Sequence, residues 1–194
     1  MQPIGLYLKL GFEHISDFAG FDHMLFLVAL TAVYRLSEWR RILILVTAFT
    51  VGHSVTLAWV SLSDASIPSQ FIEFLIPTTI LLTAVHNVLR EPPDGGSRGM
   101  GQHYAMALFF GLIHGMGFSN YFRALLMGSD SVVVPLLGFN VGIEAGQIVV
   151  VAAIVALSFV FQNLVGVKHR EWNLFVSGAA FGTSLMLMAQ AKFW

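Results

Sequence analysis

Residues 40–62 read RRILILVTAFTVGHSVTLAWVSL. After the two arginines come 21 residues in which His53 is the only ionisable side chain. A run of that length and apolarity is what a helix needs to cross a hydrocarbon layer about 30 Å thick. Comparable runs recur on either side of it, at 19–34, 71–89, 104–126, 132–161 and 172–191. The separators at 35–41, 63–69, 91–101, 128–131 and 162–171 carry charge or Pro, Gly and Ser turn chemistry. The chain therefore reads as all-α, a polytopic transmembrane helical bundle of about six membrane helices. It forms a single membrane domain over 1–194, divided into an external interfacial segment at 1–18 and a helical bundle at 19–191. Glu13, His14 and Asp17 interrupt the first apolar stretch, and the basic leader and small-residue cleavage pattern of a signal peptide are missing there.

Composition excludes several functions. Of the 194 residues 56% are hydrophobic and 11% charged, and the net charge of -1 without a basic block offers no footprint for nucleic acid. The lipid bilayer is the partner that this composition implies. Cysteine is absent, which removes thiolate sites and cysteine nucleophiles, and the expected metal donors are nitrogen and oxygen. Seven of the ten basic residues (Arg35, Arg40, Arg41, Arg90, Arg98, Lys168 and Arg170) fall in the first, third and fifth loops. The positive-inside rule makes that face cytoplasmic and both termini external. The expected setting is a bacterial inner membrane.

Ionisable groups within membrane segments are costly, so those that persist there point to function. Asp22, His23, His53, His114 and Glu144 all fall near the centre or in the outer half of their spans, and they form the expected metal set. His14, Glu73, Asn140 and Gln147 are secondary candidates. His86, His103 and His169 lie towards the cytoplasmic side and read as interfacial or loop residues. Asn140, Glu144 and Gln147 follow i, i+4, i+7 spacing and share one helix stripe, with Gly138, Gly142 and Gly146 on another. Small residues every fourth position permit close helix approach, and Gly111/Gly115 and Gly178/Gly182 repeat the spacing. Pro77 and Pro135 are expected to loosen their helices, and Thr47, Thr50 and Ser54 form a hydroxyl stripe beside His53.

Imidazole and carboxylate without sulfur suit nickel, cobalt, zinc or ferrous iron better than copper(I) or calcium. A carboxylate also holds the far nitrogen of a ligating imidazole. Asp22 is expected to do this for His53 or His114, or to bind the metal itself, because adjacent helix positions point about 100° apart and away from the His23 ring. Two functions use such a site. One is a permease for a divalent transition metal. The other is a metal-dependent intramembrane hydrolase or transferase, with Glu144 or Asp22 as general base. No P-loop is present to supply ATP-driven transport.

Five ordered motifs carry a resemblance. They are Gly11-Phe12-Glu13-His14-Ile15, Gly20-Phe21-Asp22-His23-Met24-Leu25-Phe26, and Thr47 to Leu57 around Gly52-His53. Phe110-Gly111-Leu112-Ile113-His114-Gly115-Met116-Gly117-Phe118 and Gly138 to Gln147 complete the set. Together they span the membrane region, and the chain resembles the HupE/UreJ membrane proteins. The resemblance implies nickel or cobalt transport, through Asp22, His23 and His53 with His114 and Glu144. It also implies metalloenzyme-maturation proteins, or a second copy of the chain, as partners.

Overall fold

The computed structural model describes residues 4–18, 20–63, 68–89, 100–126 and 131–191. Seven helices carry the described chain, with no strand among these residues: α1 (Ile4–Ser16), α2 (Asp22–Thr31), α3 (Trp39–Leu62), α4 (Ser69–Leu89), α5 (Met100–Leu125), α6 (Val133–Phe159) and α7 (His169–Gln190). A single 3-10 turn, Leu36–Glu38, leads into α3, and a π turn, Val160–Leu164, closes α6. Gly166 then takes a positive φ of 84°, the left-handed conformation that turns the chain into α7. Arg90, Arg98 and most of the loops at 63–69, 91–101 and 128–131 lie outside the described residues.

Six membrane helices is a slight overcount. Four of the described helical segments are long and apolar enough to cross a membrane: Leu36–Leu62, Ser69–Leu89, Val133–Leu164 and His169–Gln190. The helix α5 has the length, at 26 residues, but His103, His114, Arg123, four glycines and the amides Gln102 and Asn120 dilute its apolar character. The helix α2 has only 10 residues, a rise of about 15 Å, and covers half a bilayer. What the sequence presents as one span at 19–34 is therefore a short helix, separated from α1 by residues 17–21.

Two parallel helix pairs set the frame, and glycine makes both. In the first, a Cβ on Gly52 would overlap the α5 backbone at Leu108, and one on Gly111 the α3 backbone at Phe49. Gly115 sits against the His53 backbone, so α3 and α5 run in register with their backbones touching. In the second pair, Gly142 lies on the backbone of Leu8 and Phe12, and Gly11 on that of Phe139. Gly138 meets Ile4 and Tyr7, so the amphipathic segment expected at the surface is a helix docked along the first half of α6. Gly178 and Gly182 differ: no atom approaches within 4 Å of where their Cβ would be, and the expected close approach is absent there.

Polar contacts fasten the remaining helices. Asn87 of α4 donates to the Ala29 carbonyl of α2 at 2.7 Å, and Asn173 of α7 donates to the Asn87 carbonyl at 2.9 Å. Arg123 near the end of α5 donates to the Val60 and Ser63 carbonyls, capping the last turn of α3. Pro77 interrupts α4 without ending it, and Thr78 and Thr79 hydroxyls bond to the Phe74 and Ile76 carbonyls beside it. Pro135 falls in the first turn of α6, where a missing N–H breaks nothing.

Candidate metal centre

Three helices deliver one imidazole each to a single point. His14 comes from the last turn of α1, His23 from the first turn of α2, and His53 from α3, near the middle of the Leu36–Leu62 span. One ring nitrogen of each lies within 4.8 Å of the others. The ring centroids are 4.5 Å apart for His14 and His23, 5.7 Å for His14 and His53, and 6.0 Å for His23 and His53. Aromatic walls fix the rings: Phe118 lies 4.0 Å from His14, and Phe139 packs on His14, His53 and Phe118. His53 has no solvent exposure, and Gly115 lets the His114-bearing helix press against its backbone.

Asp22 holds the ring beside it, not His53 or His114. Its carboxylate accepts from His23 Nδ1 at 3.0 Å and from the His23 backbone N–H at 2.9 Å. Asp22 opens α2, where backbone N–H groups have no helical acceptor. The carboxylate folds back onto the free N–H, which brings it to the adjacent ring despite the angular separation that holds within a helix. The donated Nδ1 hydrogen leaves the lone pair on His23 Nε2, the arrangement that orients metal-bound histidine.

Unsatisfied nitrogen points to the same place. Among the described residues, His14 Nε2, His23 Nε2, both nitrogens of His53 and His114 Nδ1 are buried with no hydrogen-bond partner. Buried polar atoms are nearly always paired, so several orphans around one point need an explanation. A cation bound by the imidazole lone pairs supplies one. The tautomer of His114 follows from its neighbours. Thr79 gives its hydroxyl hydrogen to the Ile76 carbonyl at 2.7 Å and so accepts from His114 Nε2–H at 2.9 Å. This leaves a lone pair on Nδ1 of a ring 5.0 Å from His23. His114 thus holds a buried, unpaired nitrogen beside the set of three without being one of the residues whose ligand atoms converge.

The whole chain, residues 1–194, matches the family model described as HupE / UreJ protein. The chain belongs to the HupE/UreJ family. HupE/UreJ proteins are associated with metal transport or maturation, and the histidine cluster fits that association. No curated protein and no solved structure matches the chain.

The remaining residues proposed from the sequence lie elsewhere in this HupE/UreJ protein. Glu144 is not in the cluster: it accepts from Thr47 at 2.6 Å, on the α3–α6 contact and six residues before His53 on α3. Gln147, fully buried, accepts from Thr50 at 2.7 Å one turn from His53. Both continue the hydroxyl stripe of α3 away from the imidazoles. Asn140 follows Phe139 on α6, with its Oδ1 buried and unpaired. Glu73 is exposed on α4 and takes no part. Thr79, which fixes the His114 tautomer, has no signal in the sequence beyond its i, i+4 spacing with Thr83. A cleft of about 500 Å³, lined by Glu13, His14, Ser16, Asp17 and Tyr121 among others, opens onto the His14 side of the cluster.

Proposed function

We propose that the protein is a permease for a divalent transition metal, nickel or cobalt, which enters through the acidic cleft and binds His14, His23 and His53. The observation that carries this reading is the set of three converging imidazoles with unpaired buried nitrogens, backed by Asp22. Neutral imidazoles favour borderline cations, and an all-imidazole set in a chain without cysteine argues against copper(I). Asp22 balances part of the cation charge. Glu13 and Asp17 beside the cleft raise the local cation concentration. The basic loop residues Arg35, Arg40, Arg41, Lys168 and Arg170 support an inner-membrane orientation with both termini outside.

The second reading, a zinc-dependent intramembrane hydrolase or transferase, is favoured by one feature: three histidines at the foot of a cleft leave a fourth position open, as catalytic zinc sites do. It lacks a placed base. Glu144 is bound to Thr47, and Asp22 is bound to His23. The test is metal uptake into proteoliposomes by wild type and His53→Ala, with monodispersity checked in parallel. Uptake that is lost in a folded variant supports the permease. Tight metal retention without uptake supports the enzyme, and unchanged uptake in His53→Ala overturns both readings.

A further inference from the structure

The inner half of the bundle holds a second group of donors that the sequence reading assigns to the interface. Along α4, Thr79, Thr83 and His86 follow i, i+4, i+7 spacing and share a stripe, and along α5 His103, Phe110 and His114, at i, i+7, i+11, share another. The stripes face each other, because Thr79 meets His114 at 2.9 Å and His86 meets His103 with ring centroids 5.0 Å apart. The second meeting lies seven residues further along α4 from Thr79, about 10 Å inward. Tyr34 joins it, with its hydroxyl 2.6 Å from His103 Nδ1.

These side chains wall a cavity of about 20 Å³, lined by Tyr34, Thr83, His86, Asn87, His103 and Phe110 among others. That volume admits one body the size of a water molecule. Two imidazoles with phenol and hydroxyl oxygens form a donor set for the same borderline divalent cations as the outer cluster. A cation there requires His103 Nδ1–H to donate to the Tyr34 oxygen, which places the ring's lone pair on Nε2. Between the two places Phe26 packs on His114 at 5.0 Å, on Phe49 at 4.8 Å and on Phe110 at 6.1 Å.

We propose that this cavity is a second divalent-cation site, in which His86 and His103 hold the ion after it leaves the outer histidines and passes the aromatic barrier. The proposal rests on the outer cluster being a metal site, so the experiment separates the two. Co²⁺ binding to the full chain in detergent is measured by equilibrium dialysis, for wild type, His53→Ala and the double variant His86→Asn/His103→Asn. About two equivalents are expected for wild type and about one for each variant. Tyr34→Phe keeps both imidazoles and removes only the hydroxyl that orients His103. It is expected to weaken one equivalent about tenfold and leave the other unchanged. If the double variant and Tyr34→Phe bind Co²⁺ as wild type does, the inner site is refuted and the outer one stands. If His53→Ala alone binds as wild type does, the outer reading fails, and if wild type binds no Co²⁺ both fail.

Discussion

Gly115→Ala tests whether helix contact sets the geometry of the metal centre. A Cβ at this position would lie 2.6 Å from the His53 carbonyl oxygen, with the His53 Cα and carbonyl carbon at 3.0 and 3.1 Å. Ordinary contact begins at 3.4 Å, so the shortfall is 3.4 − 2.6, or 0.8 Å. All three obstructing atoms are backbone and cannot swing aside as a side chain would, so α3 and α5 must part by a comparable distance. Metal–ligand bonds tolerate about 0.2 Å of error. A shift of His53 several times larger should remove it as a ligand and weaken metal binding about 10- to 100-fold. Overpacking of this kind destabilises by about 1–3 kcal/mol, which leaves a folded protein to measure. The assay is competition with a chromophoric chelator in detergent, alongside thermal unfolding. Gly178→Ala is the control, because nothing lies within 4 Å of that position. It should bind metal as wild type does. A folded Gly115→Ala protein with wild-type affinity would refute the argument.

Asp22→Asn keeps the volume and one acceptor but loses the charge behind His23. Metal affinity should fall about 10- to 100-fold by the same competition assay, with little change in unfolding temperature, and an unchanged affinity would remove Asp22 from the site. Thr50→Val leaves the Gln147 oxygen buried and unpaired, so unfolding should become easier by about 1–3 kcal/mol, while Thr50→Val/Gln147→Leu should recover part of that loss. Metal affinity should hold in both Thr50 variants, since this hydrogen bond lies a turn away from the imidazoles.

Much of this protein is legible from hydropathy and spacing. The apolar runs locate α3 to α7 closely, because a lipid-crossing helix must be long and nearly free of charge. The short α2 escapes detection for the same reason: nothing in an apolar run says where its helix begins. His23 and His53 announce themselves as buried ionisable groups. His14 does not, since its position depends on α1 docking along Gly138 and Gly142 of a helix far away in sequence. Glu144 misleads in the opposite direction. Its stripe is polar and central, but the stripe faces the hydroxyls of Thr47 and Thr50, and only packing decides which polar group a stripe meets. His86 and His103 read as interfacial singly, and become a pair only when α4 and α5 are set side by side.

The break between α1 and α2 explains why this family of sites can exist at all. On one continuous helix His14 and His23 would be nine residues apart, a rise of about 13 Å, and no single ion could touch both. The chain instead stops at Ser16 and restarts at Asp22, which brings the two rings to 4.5 Å. Such a break exposes unpaired backbone groups, tolerable at membrane depth only where protein or a polar cavity satisfies them. The second end meets that condition through Asp22, whose carboxylate accepts the His23 N–H. The carboxylate that closes the second helix end is also the one that fixes the His23 tautomer, so a single residue stabilises the discontinuity and prepares the ligand. Broken helices meeting near the midplane are how transporters commonly form ion sites, because a helix end can shift with far less loss of packing than a continuous helix.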